Sequence, residues 1–463
     1  MRTQSELGHA IEEAREQTDA LFRAVRPDSF YERPIPERHR IVFYLGHVEA
    51  FDWNLIGRYA LDRRPFHAGF DHLFAFGIDP PPGQLPSDRP SDWPSLAEVD
   101  RYNQRVRDEI DELIDEVPGQ LLHVALEHRL MHAETFAYIL HQLDYERKVA
   151  PALPPEMETA RPPQPRMVEI PTGTAQLGLH GPGLDDTSLD DNATFGWDNE
   201  FQALAVDTPA FSMAKHKVTN GEYLEFVRAG AAAPFFWVER AGRWRYRGMF
   251  AEIPLPLDWP VYVTHSEAEA YAKWRGGALP TEAQFHRAAS LTHKESEANF
   301  DFRRWEPVSV HANDSGSAAH ANHNGAVAHA DSRSRARQPA DVGSADGQHP
   351  LPNGRGSVEA LSQVEALSQV EALSQLAARS QIETPSQLVG NGWEWTSTVF
   401  APFPGFTPFP FYRNYSEPFF DGRHYVLKGA SPRTAGRLAR PSFRNWFRPS
   451  YPYIYATFRL VEP

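Results

Sequence analysis

The stretch that most constrains this chain is residues 118–143, PGQLLHVALEHRLMHAETFAYILHQL. Leu121, Val124, Ala125, Met131, Phe136, Ile139 and Leu143 recur with the helical period, which predicts a helix packed along one side. His128 and His132 fall in that stripe, four residues apart and therefore one above the other. Two imidazoles in this relation can face one metal ion; the same spacing also describes a hydrogen-bonded pair in a core or on a surface. Arg129 stands where an H-E-x-x-H zinc protease carries its glutamate base, which disfavours that chemistry. A third candidate ligand is His47, in IVFYLGHVEAFDWNLI, where Phe43, Ala50 and Phe51 share its side of a second predicted helix. Facing helices of a bundle supply metal ligands in this way.

Helical patterns over residues 4–24, 37–60, 96–116 and 119–146 amount to a four-helix bundle spanning 1–148. The connection 66–94 is rich in Pro, Gly and aromatics, and a loop of that length is usually functional. His67 and His72 at its start are set aside as loop residues. The chain has no cysteine, so any metal must rest on His, carboxylates or water, and neither disulfides nor thiolate nucleophiles are available. The formal charge of -15 argues against a nucleic-acid partner, the Arg-rich tail after Arg433 being a local exception. The first residues read as a charged amphipathic helix, not a signal sequence, and no long apolar run offers a membrane span. A soluble cytoplasmic protein is expected.

Residues 149–166 form a Pro-rich linker and mark a domain boundary. From 167 to 463 the pattern is short strands, many turns and two helices, 220–228 and 266–275. Residues 311–386 interrupt it with a low-complexity insertion in which VEALSQ occurs three times over 358–375. Trp393, Glu394 and Trp395 read as core. Glu134 reads either as a hydrogen-bond partner of a ligand imidazole or as a solvated helix residue.

The segments FSMAKHKVTNGEYLEF, WPVYVTHSEAEAYAKW, ALPTEAQFHRAA, NFDFRRWEP, VGNGWEWTSTVF, LKGASPRT and FRNWF carry a family resemblance. The second half resembles the formylglycine-generating-enzyme, or sulfatase-modifying-factor, domain, and the first half a DinB-like bundle. The implied fold is α+β: a DinB-like four-helix bundle followed by a C-type-lectin-like domain with little regular structure. This order resembles the ergothioneine sulfoxide synthases, non-haem iron enzymes that join a sulfur donor to the imidazole C2 of hercynine using O2. The resemblance implies Fe(II) on His47, His128 and His132, with O2 as co-substrate. It also implies a proton-donating Tyr412 with Tyr415 as its neighbour, in FYRNYSEPFF. Asn445 and Trp446 match a substrate-binding Asn-Trp, whose ring can face a trimethylammonium group.

Departures from that family point to a sister group. Met131 replaces a polar residue before the last His ligand, and Phe447 replaces an expected Asp. The loop FAFGIDPPPGQLPSD has no arginine before Arg89 and carries Asp79 and Asp88, so an anionic thiol donor would be poorly met unless Arg58, Arg63 or Arg64 restored a clamp. These features, with YERPIPERHRIVFYLGHVEAFDW, resemble the selenoneine synthases, which implies C–Se bond formation between hercynine and a selenosugar. The alternatives are an ergothioneine-type sulfoxide synthase with a thiol donor, a DinB-like thiol transferase, and a non-enzymatic lectin-like binding module. Formylglycine generation is excluded, because that activity needs cysteines.

Overall fold

The helix expected over 118–143 is present as α5, Gly119–His141, in the computed structural model, which describes residues 4–75, 84–150, 161–181, 194–292, 298–311 and 383–462. Pro118 sits at its start, where a missing amide hydrogen leaves no bond unmade. Nearly every α5 side chain from Gln120 to His141 is buried, as expected of a helix with neighbours all round. α1 (Gln4–Arg23) packs on α5, and α2 (Ile41–Asp52) packs on α5 and on α4 (Leu96–Leu113). Phe22 of α1 meets Phe136 of α5 with ring centroids 4.3 Å apart.

The second helix and the connection after it differ most from expectation. The second helix starts only at Ile41, because Arg40 is extended, and it continues from Trp53 to Ala60 with π-helical winding. The connection after it contains a short helix, α3 (Ala68–Leu73), capped by the His67 side chain accepting from the Phe70 amide. Ser95 and Glu98 form the box that starts α4.

The second half follows. Strands β1 (Met167–Ile170), β2 (Gly173–Leu177), β3 (Leu204–Thr208) and β4 (Phe211–Ala214) lead to α6 (Asn220–Arg228). Next come β5 (Trp237–Arg240), β6 (Arg243–Arg247), β7 (Glu252–Pro254), α7 (His265–Arg275) and α8 (Glu282–Ala289). The last strands are β8 (Gly392–Val399), β9 (Tyr425–Ala430), β10 (Asn445–Phe447), β11 (Ala456–Thr457) and β12 (Val461–Glu462). Helix α8 was not expected, although Thr281 and Gln284 form a box at its start like that of α7. The largest sheet has the order β10-β9-β8-β11, with β8 and β9 antiparallel and β11 parallel to β8.

Strand alternation explains the Trp-Glu-Trp run on β8. The Trp393 indole donates to Glu134 at 2.7 Å, while the buried Glu394 pairs with Lys217 and Arg459. Glu134 also accepts from Ser431 and Thr434, at 2.6 and 2.7 Å, so it serves this junction and not a ligand imidazole or solvent. Arg440 reaches Glu127 of α5, and His141 meets both the Tyr455 hydroxyl and the Arg247 carbonyl. Helix α5 is thus a wall shared by the helical and the strand-bearing halves.

The VEALSQ copies and most of the expected insertion lie outside the described residues, as do Asp79 and residues 151–160 of the expected linker. The two flanks of the insertion meet: Gln387 Nε2 donates to the Ser309 carbonyl at 3.0 Å, and Asn391 Oδ1 accepts from the Val308 amide at 2.8 Å. Among the described residues, no helix is long and apolar enough to cross a membrane.

Candidate metal centre

His47 of α2 and His128 and His132 of α5 come together as a buried cluster, each offering one ring nitrogen within 4.8 Å of the others. The Nε2 atoms of His47 and His132 are 3.2 Å apart. His47 Nδ1–H donates to the Phe74 carbonyl at 2.6 Å, leaving the Nε2 lone pair free to ligate. Gly46 permits this, since a Cβ there would lie 2.6 Å from the Phe74 ring. Phe51 stacks on His128 at 3.4 Å and 11°, and Phe43 stacks on His47 at 4.9 Å, so neighbouring rings fix both imidazole planes.

Burial pushes His47 down to about 4, and pushes His128 and His132 well below the usual histidine range, helped by the neighbouring imidazoles. All three are therefore neutral near pH 7, the form that binds metal. Both ring nitrogens of His128 and Nδ1 of His132 are buried without a hydrogen-bond partner among the described residues. Buried polar atoms are rarely left so. Three neutral imidazoles with unmatched lone pairs suit a first-row divalent ion with positions left open.

Arg129, between the two α5 histidines in sequence, binds Glu49 at 2.7 Å and Asp52 at 2.6 Å, and Arg107 joins Glu49 to Asp19. The arginines hold Glu49 down to about 2 despite its burial, while burial raises Asp52. This buried network fastens α2 to α5 and so sets the spacing of the three histidines.

The cluster opens on a cavity of about 1160 Å³, which Met131, Tyr412, Tyr415, Asn445, Trp446 and Phe447 also border. The residues expected from the sequence as metal ligands, tyrosine donor and substrate contacts thus border one space. The Tyr412 ring lies 6.1 Å from that of His128 and 5.4 Å from that of Phe51. Burial raises its hydroxyl to about 12, and Tyr415 is raised further for the same reason. Tyr415 is committed elsewhere: its hydroxyl donates to Met131 Sδ at 3.4 Å and its ring stacks on Trp197 at 4.1 Å. Trp446 is covered on one face by Phe400 at 4.3 Å, and Phe447 stacks on Tyr451 at 5.3 Å.

The expectation of a cavity poor in positive charge is corrected. Arg38, Arg413 and Arg448 border it from segments far from the loop where arginines were sought. Arg38 donates to the Tyr451 and Tyr138 hydroxyls at 2.9 and 3.1 Å. Asp88 presents no free negative charge, since Arg33 and Arg40 both bind it. Arg58 lies in an adjoining depression with Asn54 and Ala75, which also border the cavity, whereas Arg63 and Arg64 line a separate groove beside Glu109, Glu112 and Glu116. Arg38, Arg413, Arg448 and His424 were missed because no local pattern marks them.

Residues 153–463 match the sulfatase-modifying factor enzyme 1-like domain, and residues 10–143 match the DinB superfamily. The chain is 30% identical over 421 residues to hercynine oxygenase of Mycolicibacterium smegmatis, covering 85% of this chain and 81% of the relative. It is 28% identical over 492 residues to hercynine oxygenase of Mycolicibacterium thermoresistibile, covering 98% and 95%. It is 27% identical over 504 residues to ergothioneine biosynthesis protein 1 of Neurospora crassa, covering 96% of this chain but 56% of that protein, so the chain spans about half of its length.

Proposed function

Because the chain belongs to the same family as the hercynine oxygenases, through a DinB superfamily region and a sulfatase-modifying factor enzyme 1-like domain, we propose that it is an O2-dependent enzyme forming a carbon–sulfur or carbon–selenium bond at the imidazole C2 of hercynine. The observation that carries this reading is the cluster of three neutral imidazoles opening on the cavity that Tyr412, Asn445 and Trp446 border. We take 1–148, 149–166 and 167–463 as the bundle, linker and lectin-like domain, with 311–386 an insertion.

His47, His128 and His132 would hold Fe(II), which when bound supplies O2 activation and a position for the donor's sulfur or selenium. The chain's own groups do the rest. Trp446 and Phe447 offer aromatic surface to the trimethylammonium end of hercynine, and Asn445 offers an amide for its orientation. Tyr412 keeps its hydroxyl proton at neutral pH and delivers it from Oη into the cavity. Tyr415, tied to Met131, closes the wall behind it and keeps water out.

The ergothioneine relatives support a thiol donor. A selenosugar is the second reading, favoured by one observation: the loop segment at the cavity presents Gln84 and Leu85, an amide and an aliphatic chain suited to a neutral donor. The test is an aerobic assay of the Fe(II)-loaded protein with hercynine and, in competition, γ-glutamylcysteine, a thiosugar and a selenosugar, with products read by mass spectrometry. A sulfoxide conjugate from a thiol donor establishes the sulfur reading, and selenoneine as main product the selenium one. No O2-dependent product from any donor would sink both and leave thiol transfer or simple binding.

A further inference from the structure

The cavity holds two polar side chains that this reading leaves unused, His424 and Arg448. His424 immediately precedes β9 and Arg448 immediately follows β10. β10 runs antiparallel to β9 with Asn445 opposite Leu427, Trp446 opposite Val426 and Phe447 opposite Tyr425. Arg448 and His424 are each the next residue beyond the Phe447–Tyr425 partners, so they leave the same end of this strand pair. His424 is buried, and its Nδ1–H donates to Asp421 Oδ1 at 2.9 Å. Arg448 is exposed at the cavity edge and immediately follows the Trp446-Phe447 pair.

In a trimethylammonium amino acid the cationic nitrogen and the carboxylate are borne on one carbon. A group that holds the carboxylate must therefore lie beside the aromatic rings that face the ammonium, within the reach of a single side chain. We propose that Arg448, together with His424 oriented by Asp421, forms the carboxylate subsite of this cavity, taking the carboxylate of the betaine whose ammonium Trp446 and Phe447 face. This rests on the hercynine reading above and is independent of whether the donor carries sulfur or selenium. The guanidinium fork matches a carboxylate in two parallel hydrogen bonds. The His424 imidazole, oriented through Nδ1 by Asp421, would present Nε2 to the same carboxylate.

The experiment is isothermal titration calorimetry on the full Fe(II)-loaded chain under anaerobic conditions, with hercynine and with its decarboxylated analogue, the trimethylammonium derivative of histamine. Wild type is expected to bind hercynine about tenfold or more tightly than the analogue. Arg448→Met is expected to weaken hercynine about tenfold and to leave the analogue within about twofold, and His424→Asn to act in the same direction. Unchanged hercynine affinity in Arg448→Met, equal weakening of both ligands, or a loss confined to Arg413→Met would each overturn the subsite. A wild type that binds neither ligand would overturn the hercynine reading itself and the subsite with it.

Discussion

Arg129 of α5 and Glu49 of α2 meet at 2.7 Å with both side chains sealed from solvent, one residue from His128 and two from His47. The pair couples the stability of the helices to the geometry of the candidate metal centre. Arg129→Met leaves Glu49 with Arg107 alone and Asp52 buried beside it, so it is expected to destabilise the protein by about 3–5 kcal/mol. Chemical denaturation checks this, and a metal titration of the surviving folded fraction should show weakened binding. A loss below about 1 kcal/mol would mean that the network does not hold the two helices.

Replacing His128 by Leu should separate binding from stability. The imidazole keeps both nitrogens buried without partners among the described residues. Removing them is expected to stabilise the metal-free protein by about 1–2 kcal/mol, the order of the cost of leaving a buried polar group unsatisfied. The same change should abolish the rise in melting temperature on adding Fe(II) or Co(II) to the wild type. Thermal denaturation with and without metal reads both effects, and a variant that retained the metal-dependent rise would remove His128 from the ligand set.

The two tyrosines should differ in a direction that the geometry sets. Tyr412 packs near His128, whereas Tyr415 is tied to Met131 and Trp197. Tyr412→Phe is expected to lower O2-dependent turnover about 100-fold or more with metal content unchanged, the range for loss of a positioned proton donor. Tyr415→Phe should cost less than about tenfold. The reverse order would exchange their roles.

Acid should weaken the protein through His141, which lies away from the candidate ligands. Burial, aided by Lys148, lowers it to about 3 in the folded state, against an ordinary value of 6.5. The unfolded chain therefore binds the extra proton first, so stability present above pH 6.5 is lost as the pH falls toward 3. Between pH 7 and pH 5 this amounts to about 2 kcal/mol. His141→Gln should flatten the pH dependence of the denaturation midpoint by that amount relative to wild type, and an identical slope in both proteins would assign the acid sensitivity elsewhere.

The cluster of His47, His128 and His132 was legible because two of them lie on one helix in one apolar stripe, and the third sits on a helix whose pattern is equally plain. Tyr412, Asn445 and Trp446 carry no periodicity that marks them, and only the family resemblance pointed to them. Arg38 was beyond either route, since its partner Tyr451 is 413 residues further along the chain. Arguing charge from one loop failed for the same reason: a cavity takes its guanidinium groups from wherever the chain returns. Helix α8 was a different kind of miss, because Thr281 and Gln284 gave a local start signal that was passed over in a region dominated by turns.

The hydrogen bond from Gln387 to Ser309 bears on how such a chain can change over generations. Where the two ends of a segment meet, the frame need not bridge the gap between them, and the entropy of closing a loop grows only with the logarithm of its length. A change in the length of chain between those two ends therefore costs little in closure entropy. Met131 and Phe447 have no such freedom, since they border the cavity and a change at either alters its wall.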